Sequence, residues 1–379
     1  MGMAPDEVLR LRMRAQRLRG PGAASPEDAL RRLLAVQAQE FPYAQWSLAQ
    51  RAAATSGAVT AADIEKAVGD GRILRTHILR PTWHFVHRDD LRWLRALSGP
   101  RLEQINAVTY RQTGIDAAAA ARSAGILGSA VADGNHLSRE VLASKLHDAG
   151  LPAKGLKLAY LIMHAEITGV LVSGTPVRSP GGALKQTYAL FDERVPAGPE
   201  WTRPEALAEL ACRYFTSRGP ATAKDCADWS GLTLTEVRKG LQLTVEAHPD
   251  TLAETVIDGV VHYYGAGGDA HGGSGTAGPR IDLIQCYDEY VMGYSATRHY
   301  MGGGAPAFPF QGEPMHVVLL DGRMAGSWRH TFRPGRCEVD IRPAWAEPPG
   351  SPLAAAVQDA VDRYAAFTGL PTVRVQPGA

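Results

Sequence analysis

The stretch Leu33-Leu34-Ala35-Val36-Gln37-Ala38-Gln39-Glu40-Phe41-Pro42 sets two glutamines on either side of one alanine, just ahead of a proline. Upstream, Ser25-Pro26-Glu27-Asp28 is a helix start: a capping serine, a proline pre-set for the first helical position, and two acids at the positive end of the helix dipole. Leu30, Leu33, Leu34 and Gln37 then fall at i, i+3, i+4 and i+7, so Gln37 is expected where the helical pattern calls for an apolar residue. A buried amide there needs a hydrogen-bond partner. On an ideal helix Gln37 and Gln39 would point about 200° apart. Pro42, however, disfavours helix just before it, and in an extended chain residues two apart share a face. Both amides then reach one small site at the helix end. In the plainer alternative, Gln37 caps a neighbouring backbone group and Gln39 is solvated.

Composition around this stretch is that of a globular protein: 379 residues, 45% apolar and 21% charged, enough for roughly two to four modest domains. A formal net charge of +1 leaves nucleic-acid binding open, because binding depends on where the arginines cluster rather than on their total. Cys212, Cys226, Cys286 and Cys337 lie far apart, with no CxxC and no Cys/His spacing suited to zinc. That predicts reduced, buried thiols in a cytoplasmic protein, with no metal and no cofactor. Arg10, Arg12, Arg14, Arg17 and Arg19 mimic a transit peptide, but Asp6 and Glu7 precede them and no long apolar run follows. They are expected to form the polar face of a short helix buried through Leu11, Ala15 and Leu18. No segment is long and apolar enough to cross a membrane.

One pattern recurs along the chain: a helix, a turn, a second helix, then a β-hairpin or wing. The first instance opens at Ser25 and runs through helices near Trp46 to Ala54 and Ala61 to Val68 into strands around Arg72-Ile73-Leu74-Arg75 and Trp83-His84-Phe85-Val86. Arg72, Arg75, Arg80, Arg88, Arg92, Arg95 and Arg101 make this hairpin basic, and arginines flanking strands with Trp83 and His84 between them suit a phosphate-tracking wing as well as a solvated face. A break is expected inside the alanine- and glycine-rich stretch 116–134. Ser138 then caps a helix carrying Val141, Leu142 and Leu146, and Leu156 to Ile167 forms the next. The strands after it enclose a long polar tip, 175–185, with Arg178 and Lys185. Thr202-Arg203-Pro204-Glu205 opens the third instance, which passes through Asp225 to Trp229 and a strand at Val260 to Tyr264 into a glycine-rich linker. From Arg280 the texture changes to short alternating strands and a terminal helix near Leu353 to Phe367. The expected fold class is α+β: units at 1–125, 126–197 and 198–268, then a β-rich domain at 279–379 built as a small barrel or sheet with a terminal helix.

The segment from Leu34 through Gln37, Gln39 and Gln45-Trp46-Ser47-Leu48 resembles the Gln-hydrophobic-Gln motif of the AlkZ-like, YcaQ-related family of bacterial winged-helix DNA glycosylases. Gly219-Pro220-Ala221-Thr222 with Trp229-Ser230-Gly231-Leu232, and Tyr287-Asp288-Glu289-Tyr290 with Arg298, are also similar to that family. Some relatives carry Asp at the second polar position, where this chain has Gln39. The resemblance implies three tandem winged helices, Gln37 and Gln39 as catalytic residues, and a monomer acting on double-stranded DNA at alkylated or cross-linked guanine. A DNA glycosylase must expose a nucleotide, stabilise positive charge on the deoxyribose and deliver water to its anomeric carbon. An amide is no general base at neutral pH, so a Gln/Gln site orients water and offers dipoles, and suits only a leaving group that departs readily. N7-alkylated purines carry a formal positive charge and leave as neutral bases. Unhooking of N7-guanine interstrand cross-links, DNA repair and self-resistance to an alkylating natural product such as azinomycin follow as what the resemblance implies. No lysine is placed for Schiff-base chemistry, which predicts a monofunctional enzyme. Candidate DNA contacts are Arg75, Arg80, Trp83, His84, Arg178, Lys185, Arg298, His299, Arg329 and His330. The alternatives are a non-catalytic winged-helix regulator or damage sensor, and a protein scaffold.

Overall fold

The computed structural model describes residues 3–53, 57–179, 184–267, 278–302, 316–345, 348 and 350–375. Helix α1 (Pro5–Ala15) buries Val8, Leu9, Leu11 and Met13, and Arg12 joins them at 0% exposure. The Arg12 guanidinium donates to the carbonyls of Pro220 and Thr297 at 2.9 and 3.1 Å and to the Thr297 hydroxyl at 2.6 Å, and lies 3.8 Å from the centre of the Tyr294 ring. An all-polar arginine face therefore does not hold at Arg12, where carbonyls distant in sequence satisfy the charge.

Helix α2 (Pro26–Leu33) starts as its sequence dictates, with Ser25 Oγ accepting from the Asp28 N–H at 3.0 Å. It ends before the apolar spacing does. Leu34 turns to φ +68° and the chain continues as strand β1 (Ala35–Gln37). A positive φ at a leucine costs about 1–3 kcal/mol, and complete burial of the side chain opposes that cost. Gln37 thus closes a strand rather than extending a helical stripe. Helices α3 (Phe41–Ala49) and α4 (Ala61–Gly69) lead to strands β2 (Ile73–His77) and β3 (Trp83–His87). The sheet has the order β1-β3-β2, with Gln37 opposite His84.

The long α5 (Arg88–Thr113) precedes α6 (Ala117–Val131), and α6 occupies most of the stretch expected to hold a break. Asp116 caps it through the Ala119 N–H at 2.7 Å. Its small residues allow close packing: a Cβ on Gly128 would meet Val170 Cγ1 at 3.0 Å. Alanine and glycine pack in this way while giving almost no apolar periodicity, and the expected break at 125/126 falls inside the helix. Next come β4 (Leu137–Ser138), α7 (Arg139–Asp148), α8 (Gly155–Ile167), β5 (Leu171–Ser173), a small hairpin of β6 (Val177–Arg178) and β7 (Leu184–Lys185), and β8 (Thr187–Leu190). The sheet order is β4-β8-β5. Part of the polar tip, 180–183, lies outside the described residues.

After the short α9 (Phe191–Arg194), α10 (Arg203–Arg218) opens on a capping box between Thr202 and Glu205. Helices α11 (Ala223–Ser230) and α12 (Leu234–Ala247) and the antiparallel strands β9 (Leu252–Ile257) and β10 (Val260–Gly265) follow. A single bridge, Ala221 to Tyr263, takes the place that β1 and β4 hold in the earlier sheets. The same order of helix, short edge strand or bridge, two helices and two longer strands thus occurs three times.

The glycine-rich stretch 268–277 lies outside the described residues. Beyond it are β11 (Ile281–Ile284), α13 (Glu289–Met292), β12 (His316–Leu320), β13 (Arg323–Arg333), β14 (Arg336–Pro343), α14 (Pro352–Thr368) and β15 (Thr372–Val375). They form an open sheet, β11-β12-β13-β14-β15, whose last pairing is parallel, so the sheet and not the barrel is found. The whole is a mixed fold of 14 α-helices and several separate sheets among the described residues, with no barrel and no helix long and apolar enough to span a membrane. One core joins α1, β2, α5, α10 to α12 and α13; a second joins α2 to α4 with the C-terminal sheet and α14; α6 to α8 have their own.

Candidate active site

Strand β1 carries Gln37 to the end of the first sheet with 3% exposure, and Ala38 prolongs the ladder through its N–H to the Trp83 carbonyl at 2.7 Å. Past Ala38 the chain bends at Gln39 and Glu40, and Gln39 is exposed. The outer edge of β1 meets side chains instead of another strand. Glu289 Oε1 accepts the Gln37 N–H at 3.0 Å, and Gln285 Nε2 donates to the Gln37 carbonyl at 3.1 Å. Both amide side chains are engaged on the hairpin side: Gln37 Oε1 accepts from Arg80 Nη2 at 2.8 Å, and Gln39 Oε1 accepts from the Trp83 N–H at 3.4 Å.

Arg80 reaches Gln37 because the connection between β2 and β3 is tightly folded. The Arg80 N–H donates to the Ile78 carbonyl and the Thr82 N–H to the Arg80 carbonyl, both at 2.7 Å, with Leu79 at φ +62°. Arg80 also donates to the Trp229 carbonyl and lies 3.3 Å from His84 Nε2. His84 Nδ1 sits 2.9 Å from the Thr82 carbonyl, so Nδ1 carries the proton and the Nε2 lone pair faces Arg80. Burial, and then the Arg80 charge, hold His84 well below the usual histidine range, and it is neutral.

Two adjacent acids fasten this corner. Glu289 Oε2 accepts from Trp229 Nε1 at 2.7 Å and from Arg218 Nη2 at 2.6 Å, and the Arg218 guanidinium lies 4.2 Å from the Trp229 ring centre. Asp288 takes Arg51 at 2.6 Å and the Ser47 hydroxyl at 2.7 Å. Both acids have 0% exposure. They frame the motif, and among the described residues neither is a free carboxylate in it. Glu40, the remaining neighbour, is one residue past Gln39 and lies against the C-terminal sheet. There its Oε2 lies 3.7 Å from His316 Nε2, and burial raises its pKa.

Glu40, Cys286 and His316 place possible metal-ligand atoms within 4.8 Å of one another. The donor set does not fit an ion. The Cys286 N–H donates to His316 Nδ1 at 3.1 Å, which leaves Nε2 protonated in the neutral ring and without a lone pair for a cation. Burial also pushes the Cys286 thiol up to about 12. Among the four cysteines no disulfide forms.

The other sequence-derived candidates are dispersed. Arg75, 6% exposed, donates to the Ala38 and Gln39 carbonyls at 2.8 and 3.3 Å and to Gln186 Oε1, with its guanidinium 4.1 Å from the ring of half-buried Trp83. Arg75, and His84 at 0% exposure, thus have almost no surface to offer a phosphate: they hold the motif from within. His330 is likewise enclosed, stacked 4.0 Å from Tyr43 and bonded to the Tyr364 hydroxyl. Arg178 and Lys185 are exposed on the β6–β7 hairpin, 2.6 Å from Glu65 and 3.9 Å from Glu140. Arg298 donates to the Val291 carbonyl at 3.1 Å, His299 beside it is exposed, and Arg329 lies 3.4 Å from Asp340. Sequence reasoning missed that Arg80 belongs to Gln37, and that Trp229, Arg218 and Glu289 hold Arg80 in turn. The only sequence signal for these was the similarity of the segments around Trp229 and Glu289 to the family.

Residues 30–367 match the model of the family described as DNA glycosylase AlkZ-like, and the chain belongs to that family: it is a DNA glycosylase, and its substrate is DNA. Among solved structures it is similar to the Streptomyces sahachiroi DNA glycosylase AlkZ, with a TM-score of 0.69 and 22% sequence identity over 99% of this chain and 100% of that one. No curated protein matches the chain in sequence.

Proposed function

We propose that this enzyme is a monofunctional glycosylase that hydrolyses the N-glycosidic bond of cationic N7-alkylated purines, including N7-guanines joined in interstrand cross-links. One observation carries the reading: the polar side chains of the motif bonded to the hairpin are two amides, while Asp288 and Glu289 are closed in ion pairs and Glu40 lies beside His316. A site without a free base orients water and offers dipoles, and that suffices only where the base departs neutral. The thrice-repeated topology supports three winged helices at about 1–125, 126–197 and 198–268, followed by the β-rich 279–379, acting as a cytoplasmic monomer. Family membership weighs against the non-catalytic regulator. Exposed Arg178, Lys185 and His299, with Arg298 and Arg329, are the proposed DNA contacts, and half-buried Trp83 is proposed to meet the lesion. Duplex DNA containing a single N7-methylguanine tests the substrate: free base is released by the enzyme, and its absence under single-turnover conditions would overturn the assignment.

A further inference from the structure

An arginine donates and never accepts, so the Gln37 atom that meets Arg80 Nη2 at 2.8 Å is the amide oxygen, whichever way the amide is drawn. The Gln37 NH2, which has no hydrogen-bond partner among the described residues, is the end left for a ligand. Gln39 has the opposite polarity: its carbonyl oxygen takes one long bond, 3.4 Å from the Trp83 N–H, and keeps a second lone pair. We propose that Arg80 is a positioning residue that fixes Gln37 as a hydrogen-bond donor, with Gln39 as the acceptor, so that the two amides hold one water in a single orientation. The inference rests on the glycosylase reading above and gives it a polarity.

A water with two hydrogen bonds of about 2.9 Å spans about 5.8 Å between its partners. In the proposal one such water bridges the two amides. It accepts from the Gln37 N–H and donates one hydrogen to Gln39 Oε1, which leaves a lone pair for the anomeric carbon. The bond from that carbon to the purine N9 breaks with its electron pair on the cationic base, which departs neutral. The water oxygen bonds to the sugar cation, and its surplus proton passes to bulk solvent. Drawing electron density toward Oε1, the guanidinium also makes the Gln37 N–H a stronger donor. Arg80 is itself fixed by the Trp229 carbonyl at the end of α11, and Trp229 by Glu289, so the third repeat sets the orientation of a side chain in the first.

Single-turnover release of N7-methylguanine from a duplex oligonucleotide tests this, with affinity for the undamaged duplex measured beside it. Arg80→Met should slow release by about 10- to 100-fold, and Arg80→Lys, which keeps a donor for Oε1, should lose less. In the Gln37→Ala background Arg80→Met should cost under about twofold more, because a residue acting through Gln37 has nothing left to position. Gln37→Glu keeps an oxygen for Arg80 but removes the donor, and should lose about 100-fold; Gln39→Glu keeps the acceptor and should lose under about tenfold. Losses that multiply in the double variant, or a Gln37→Glu enzyme as active as Gln39→Glu, overturn the role of Arg80 while leaving the substrate reading in place. A wild-type enzyme that releases no base overturns both.

Discussion

At Gln37 and Gln39 the chemistry is bounded by what an amide can do: it forms hydrogen bonds, and it does not titrate between pH 4 and 9. Replacing either by alanine should lower base excision by roughly 100-fold, the range for loss of one water-positioning or electrostatic group, while duplex affinity stays nearly intact. Excision at the wild-type rate by both variants under single-turnover conditions would remove the pair from the mechanism. The same limit predicts a pH profile. With Asp288 and Glu289 closed in ion pairs and Glu40 beside His316, wild-type excision of a cationic N7-alkylguanine should show no acid limb near a perturbed carboxylate pKa of about 4 to 6. Gln39→Asp should acquire such a limb, because its carboxylate must ionise before it can accept the water proton. A limb already present in the wild-type enzyme, with folding and DNA binding verified at that pH, would mean that some carboxylate is at work, and Glu40 is then the first to replace.

Among the elements, those whose causes are local were legible. Ser25, Ser138 and Thr202 cap helices where the sequence places them, and the basic hairpin lies within two residues of its expected bounds. What was not legible depended on distant partners. The helix-like spacing through Gln37 yields to strand pairing with His84 and to Leu34 at positive φ; Arg12 is buried because Pro220 and Thr297 present carbonyls; and α6 packs through residues that leave no apolar stripe. The motif was visible as two glutamines, but their polarity was not, because Arg80 is 43 residues away in sequence and its anchor, Trp229, is a further 149. Gly231 is where that junction is tightest. It ends α11 at φ +73°, and a Cβ there would lie 2.6 Å from the Leu79 carbonyl, next to Arg80. Gly231→Ala should therefore cost about 1–3 kcal/mol, through both the strained φ and the clash. Thermal melts should fall accordingly. Excision by the folded enzyme should fall as well, because the end of α11 that holds Arg80 must move; a variant that melts at the wild-type temperature would show the contact to be loose.

On the scale of the whole molecule, a nearly neutral chain has to bind DNA through local clusters. If Arg178, Lys185, Arg298 and Arg329 meet phosphates, log affinity for duplex DNA should fall steeply with log salt, and removing one contacting residue should reduce the slope by about one unit. A flat salt dependence would count against these residues. The seam between the first repeat and the C-terminal sheet sets a second limit. Tyr43 of α3 lies between His316 and His330, with ring centres 3.5 and 4.0 Å away, and Glu40, Cys286, Trp328 and Tyr364 complete the surroundings. Burial, with His330 adding to it, pushes His316 down to about 3, and burial takes His330 down to about 4. Below pH 6.5 the unfolded chain protonates both rings while the native protein does not, so it binds more protons and stability falls with pH through this window, until the native rings also protonate near pH 3 to 4. Glu40 has the opposite sign, because its raised pKa lets the native state take a proton before the unfolded one; it is a single, partly exposed carboxylate against two enclosed histidines. The melting temperature should therefore drop between pH 6.5 and 4.5, and His316→Gln, which cannot titrate, should flatten the dependence whatever it does to stability at pH 7. An unchanged slope in that variant would place the acid sensitivity elsewhere, and a wild-type melting temperature that is constant over the window would show that the seam admits protons or water freely.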